Sequence, residues 1–116
     1  MNYYVDVILP LPLKGTFTYE LSQDEFNKLE IGFRVAVSFG KRKVYTGIVN
    51  ELHNSKPKSY ETKPIEFIYD DKSLVSQNQI DFWNWLSRYY FAPIGDVMKA
   101  AVPSTFLLES DSLIIK

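Results

Sequence analysis

A chain of 116 residues, 46% hydrophobic and 23% charged, has room for one globular domain and too much apolar content for long disorder. It has no cysteine and one histidine, His53, which excludes disulfides, thiolate nucleophiles, Cys-based zinc or iron–sulfur sites and multi-histidine metal sites. The net charge of −1 argues against a uniformly basic nucleic-acid binder, but residues 1–31 carry −3, residues 32–63 carry +5 and residues 64–116 carry −3, so a neutral total conceals a basic middle.

The first half reads as short strands. Tyr3, Val5, Val7 and Leu9 alternate with Tyr4, Asp6 and Ile8, the pattern of a strand with two different faces. Pro10 and Pro12 end it, because neither can donate to a ladder. Leu13-Lys14-Gly15 reads as a turn, and residues 16–21 alternate again as a second strand. Residues 22–30 are polar with Phe26 and Leu29 at helical spacing, enough for one helical turn. In residues 33–39, Phe33, Val35, Val37 and Phe39 fall on one face and Arg34 and Ser38 on the other. A Gly40-Lys41-Arg42-Lys43 turn follows, then a strand over 44–52 whose interior Gly47 marks a bulge, a barrel bend or a close approach. The hydrophilic loop 53–62 leads to a last strand over 64–69. Five or six short strands with short links predict a small curled sheet or barrel of the OB type.

The hydrophobic period changes after residue 75. Ser76-Gln77-Asn78-Gln79 has the form of a capping box. Ile80, Trp83, Leu86 and Tyr90 follow at helical spacing, with Phe82 and Tyr89 widening the stripe, so a helix is expected from about 77 to 91, stopped before Pro93. Trp83 and Trp85 cannot both face the core, and one of them is free to meet another domain or protein. A short helix is expected over 94–101. The fold class is mainly β with a C-terminal helical segment: one domain over 1–103, barrel about 2–70, helices about 76–102, and a tail or linker over 104–116. No apolar run approaches the roughly 20 residues of a spanning helix, and the N-terminus lacks the basic opening of a secretory signal, so a cytoplasmic location is expected.

Catalytic constellations are thin. His53 lies beside Asn54 and Ser55 and reads as a solvated loop histidine rather than a triad member. Asp70 and Asp71 are neighbours, which point to opposite faces of a strand and do not converge as an acid–base pair; they read as a turn. Neither a G-x-G-x-x-G nor a P-loop is present: Gly40-Lys41 is followed by Arg42, with no glycine five residues upstream. The strongest chemical signal is Phe39-Gly40-Lys41-Arg42-Lys43, where a ring, a small residue and three cations together suit a stacked base and its phosphates. Lys41, Arg42 and Lys43 are therefore candidate phosphate contacts.

The ordered series Leu9-Pro10-Leu11-Pro12-Leu13, Thr16-Phe17-Thr18-Tyr19, the stretch from Gly32 through Phe39-Gly40-Lys41, Gly47-Ile48-Val49, Tyr89-Tyr90, Pro93-Ile94-Gly95-Asp96-Val97 and Ala101-Val102-Pro103 resembles the N-terminal domain of the primosomal replication-restart helicases, the PriA (primosomal protein N′) family. The resemblance implies a domain that binds the free 3′ end of the nascent leading strand at a stalled replication fork. It implies a longer protein with an ATP-driven 3′-to-5′ helicase core and bound zinc, whose P-loop, acidic helicase motif and zinc cysteines do not occur in these residues. By that resemblance this segment is expected to have no enzymatic activity and to need no ATP, magnesium or zinc of its own. Its expected partners are DNA with a free 3′ end, the helicase domains of the same chain, other primosome proteins and single-stranded DNA-binding protein. A monomer with a cytoplasmic, nucleoid-associated location and no membrane partner is expected. The family's pocket residues fall on Phe17, as a stacking or pocket-wall ring; on Thr18, where relatives usually carry an acid; on Gly40, where the terminal nucleotide reaches backbone; and on Lys63, as a base or phosphate contact. Three alternatives stand beside it: a protein-interaction module using the aromatic helix, a small enzyme with an unseen pocket, and a single-strand binder indifferent to the end.

Overall fold

Two-residue alternation builds the first half of the chain and 3.6-residue periodicity the last third, and the computed structural model follows that division. It describes residues 2–13, 15–40, 43–58, 60–69, 73 and 75–102. The elements in order are β1 (Tyr3–Ile8), β2 (Phe17–Leu21), α1 (Gln23–Lys28), β3 (Arg34–Ser38), β4 (Val44–His53), β5 (Phe67–Ile68), α2 (Gln77–Tyr90) and α3 (Ile94–Ala101). The strands form one five-stranded antiparallel sheet ordered β2-β1-β4-β3-β5.

The sheet curls, and the segment after residue 62 ties its two edges together. Glu20 N–H donates to the Lys63 carbonyl and Glu20 forms a bridge with Pro64 on the β2 side. Glu66 N–H donates to Ala36 and Tyr69 N–H to Arg34 on the β3 side. Here the structure corrects the expectation of a strand over 64–69: only Phe67–Ile68 is a ladder strand. The reason is that this segment divides its hydrogen bonds between two edges, and Pro64 has no N–H to give.

Alternation produces two cores. The inner face of the curled sheet buries Val5 and Val7 of β1, Tyr19 and Leu21 of β2, Val35 and Val37 of β3 and Val49 of β4, with Leu9, Leu29, Phe33 and Ile65 closing the ends. The opposite face offers Ile8 and Ile48, fully buried against Ile80 and Trp83 of α2, Ile94 and Met98 of α3, and Val75 and Val102. Burial of such side chains is worth about 1.5–3 kcal/mol each, so helices and sheet stabilise one another. Ala36, on the face expected to be polar, is also buried. β3 is thus covered on both sides except at its ends, where Arg34 lies over the Tyr69 ring at 5.6 Å.

Both longer connections show their capping chemistry. Ser76 caps α2 and closes a capping box with Gln79, as expected. Ser22-Gln23-Asp24-Glu25 does the same for α1, where Phe26 packs on Tyr3 at 4.6 Å between ring centres. Gly47 marks a close approach: a Cβ there would run into the Val7 side chain and the Ile8 carbonyl. The bulge lies three residues later, at Asn50, which has no partner between Val7↔Val49 and Asp6↔Glu51.

The two most recognisable sequence motifs touch each other. Pro10 and Pro12 cannot donate, and Leu11 and Leu13 N–H instead close tight turns onto the Leu9 and Leu11 carbonyls, each 2.8 Å. Gly95, in the first turn of α3, lies against the backbone of Leu9 and Leu11, where a Cβ would strike both carbonyl oxygens. Leu-Pro-Leu-Pro-Leu is therefore the platform on which Pro-Ile-Gly-Asp-Val docks. Among the described residues, no helix is long and apolar enough to cross a membrane.

Candidate nucleic-acid interface

Where the start of β2 meets the end of β3 lies a pocket of about 120 Å³. Phe17 and Tyr19 reach it from one strand, since residues two apart share a face. Ser38, Phe39 and Gly40 come from the end of the other, and Tyr60, Glu61 and Lys63 from the segment along the β2 edge. Thr18 completes the β2 wall. A pocket smaller than the roughly 300 Å³ at which whole-ligand sites begin has room for part of a larger ligand only.

Its wall is aromatic. Phe17 packs edge-on against Phe39 at 4.7 Å and tilted against Tyr60 at 4.9 Å between ring centres. Tyr19 O–H donates to the Ser38 carbonyl at 2.7 Å, tying β2 to the end of β3. Burial, reinforced by Tyr60 nearby, pushes the Tyr19 phenol well above its ordinary value, so it stays a neutral donor at any physiological pH. Gly40 holds φ +72°, a left-handed conformation that turns the chain at the pocket rim, with open space where a side chain would stand. The Phe39 N–H closes that turn onto the Lys43 carbonyl at 3.0 Å. Lys43 follows directly after the rim; Lys41 and Arg42, also expected to meet phosphates, lie outside the described residues, as do Asp70 and Asp71.

Thr18 is fixed at both its donors. Its N–H, on the outer edge of β2, donates to the Tyr60 hydroxyl at 2.9 Å. Its hydroxyl donates to Asp6 Oδ1 at 2.6 Å, since a carboxylate can only accept. Asp6 faces Thr18 directly across the β1–β2 ladder. The Thr18 side chain is therefore held by a carboxylate on the neighbouring strand, which is not itself among the residues lining the pocket.

His53 departs from its reading as a solvated loop residue. It is the last residue of β4, and its Nε2 lies 2.8 Å from the same Asp6 oxygen. Nδ1 accepts the Ser55 N–H at 3.0 Å, which leaves Nε2 as the protonated nitrogen donating to Asp6. A half-buried carboxylate one strand away, rather than water, is the partner of this side chain.

The four residues singled out by resemblance, Phe17, Thr18, Gly40 and Lys63, thus come from three separate stretches and line one pocket. Sequence reasoning missed Tyr19, Ser38 and above all Tyr60. The signal for Tyr60 was there: it is the one tyrosine, phenylalanine or tryptophan in an otherwise polar loop.

A family model described as "3'DNA-binding domain (3'BD)" of PriA matches residues 6–103. The chain belongs to that family. It is a DNA-binding domain of the replication-restart type, and its match spans both the barrel and the helices. Among relatives, the replication restart protein PriA of Buchnera aphidicola (subsp. Acyrthosiphon pisum) is 30% identical over 110 residues, 95% of this chain and 15% of that protein. Replication restart protein PriA of Haemophilus influenzae is 32% identical over 99 residues, 85% of this chain and 13% of its own length. That of Treponema pallidum is 25% identical over 108 residues, covering 90% and 16%. The chain thus spans 13–16% of the length of these relatives.

Proposed function

We propose that this 3′ DNA-binding domain recognises the free 3′ end of a DNA strand, that of the nascent leading strand at a stalled replication fork, by seating the terminal nucleotide in the Phe17–Thr18–Gly40–Lys63 pocket. The observation that carries the reading is that those four residues, from three separate stretches of the chain, share one small aromatic pocket. Specificity for an end would arise from a sugar seated so that a continuing phosphodiester is excluded, as well as from contact. Stacking on Phe17 tolerates every base, which suits a protein that meets every fork sequence. Lys63, with Lys41, Arg42 and Lys43, supplies the salt-sensitive attraction to phosphate. The domain itself is non-enzymatic and free of ATP, magnesium and zinc. It acts as a monomeric module of a longer cytoplasmic, nucleoid-associated restart helicase, alongside primosome proteins and single-stranded DNA-binding protein.

The test is fluorescence anisotropy with two 5′-labelled oligonucleotides of one sequence, one ending in a 3′-hydroxyl and one in a 3′-phosphate. Preference for the hydroxyl end is expected, with affinity falling about tenfold or more in Phe17→Ala, a stacked base being worth roughly 1–3 kcal/mol. A parallel loss is expected in Lys63→Ala. Equal binding to both ends means a general single-strand binder. Absence of binding at low salt favours the second reading, a protein-interaction module, for which there is one specific observation. On α2, Phe82, Trp85 and Tyr89 are exposed and stack in a column, with ring centres 6.1 and 4.9 Å apart.

A further inference from the structure

A second hollow, of about 540 Å³, adjoins the first on the loop after β4 and is lined by Lys56, Pro57, Lys58, Tyr60 and Glu61. Tyr60 and Glu61 line both hollows. We propose that this outer hollow is a second nucleotide subsite, which takes the penultimate nucleotide of the strand whose 3′ end occupies the inner pocket. The proposal rests on the reading of the inner pocket as the seat of the terminal nucleotide.

Position and charge favour it. Tyr60 is the partition between the two, and it is pinned twice: its hydroxyl accepts the Thr18 N–H at 2.9 Å, and its ring rests on Phe17. A ring held in place before binding loses little entropy when a base stacks on it. A strand that spans both hollows passes this ring, because Tyr60 borders each of them. Lys56 and Lys58 flank Pro57, whose fixed φ stiffens the stretch between the two cations. Glu61 lies 3.4 Å from Lys56, in a pair so exposed that water and salt screen it. An arriving phosphate replaces Glu61 as the partner of Lys56, and Lys58 adds a second point of attraction.

The terminal and penultimate positions are separated by a length series on the whole 116-residue chain. Thymidine 5′-monophosphate, then the dinucleotide and trinucleotide with free 3′-hydroxyls, serve as competitors in the anisotropy assay. The wild type is expected to bind the dinucleotide about tenfold more tightly than the mononucleotide, with little further gain for the trinucleotide. That step is expected to collapse to about twofold in Tyr60→Ala and to survive in Tyr60→Phe, which keeps the ring. Lys56→Glu/Lys58→Glu changes only loop side chains, so it keeps the test open if Tyr60→Ala does not fold. It is expected to abolish the step and to flatten the slope of log affinity against log salt by about 0.7 for each phosphate the loop no longer neutralises. A step that persists in both Tyr60→Ala and the double charge reversal overturns the subsite while leaving the inner pocket standing. A wild type that does not distinguish a 3′-hydroxyl from a 3′-phosphate overturns both.

Discussion

Tyr19 shows how one residue ties the barrel to the site. Its ring belongs to the inner core and its hydroxyl to the pocket wall, where it donates to Ser38. Because burial raises its folded value, the unfolded chain loses the phenolic proton first, above about pH 10. The stabilisation is therefore complete below that pH and declines as pH rises further. Tyr19→Phe removes the titration but leaves the Ser38 carbonyl without this donor, a cost of about 1 kcal/mol. Urea unfolding from about pH 8 to about pH 11.5 is expected to show Tyr19→Phe less stable at the lower end, with the gap to wild type narrowing above the ordinary tyrosine value of about 10. A gap that stays constant would mean that Tyr19 ionises freely in the fold. At the same scale, Asp6 fixes the Thr18 side chain: the carboxylate lies across the ladder, satisfied by the Thr18 hydroxyl and by His53. Nothing local to position 18 reveals this, because strand pairing brings together residues 12 apart.

At the scale of elements, α2 is the clearest case of local rules and their limit. Its capping box, its period and its stop before Pro93 were all readable, because each depends on neighbours within one turn. The width of its buried face was not. Ile80 and Trp83 are buried, but Phe82, Tyr89 and Tyr90 are exposed and Leu86 only half-buried, so the stripe is narrower than the spacing suggests. Trp85, the second tryptophan, does point away from the core, 48% exposed. The helix ends on Phe91, which adopts φ 57° and is 92% exposed. A left-handed conformation costs a side-chain-bearing residue about 1 kcal/mol or more, and this ring recovers little of it by packing. Phe91→Gly is expected to raise the thermal midpoint, a gain of about 0.5–1 kcal/mol. An unchanged or lowered midpoint would show that the ring makes a stabilising contact.

At the scale of the whole molecule, the barrel and the helices depend on one seam. Ile8 and Ile48 on the outer sheet face, with Gly95 against the Leu9–Leu11 backbone, hold α3 in place. Gly95→Val forces a branched side chain into two carbonyl oxygens, and neither backbone can yield cheaply. It is expected to cost about 3 kcal/mol or more in urea unfolding, with lost protection at Leu11 and Leu13 amides in hydrogen exchange. A variant within about 1 kcal/mol of wild type would show that the seam adjusts. The Leu-Pro-Leu-Pro-Leu and Pro-Ile-Gly-Asp-Val motifs lie far apart in the chain, and this contact brings them together.

The sequence by itself determined the class of fold, the order of its elements, the positions of α2 and α3 and the family, because periodicity, caps and prolines act over a few residues. It also named four residues of the pocket through that family. Only the tertiary structure decided that those four meet, that Tyr60 stands among them, that His53 serves Asp6 rather than water, and that the last strand shrinks to two residues. Each of these depends on which edge or face a segment is brought against. That is settled by the closure of the sheet and the burial of its two faces, and no local pattern in the chain encodes it.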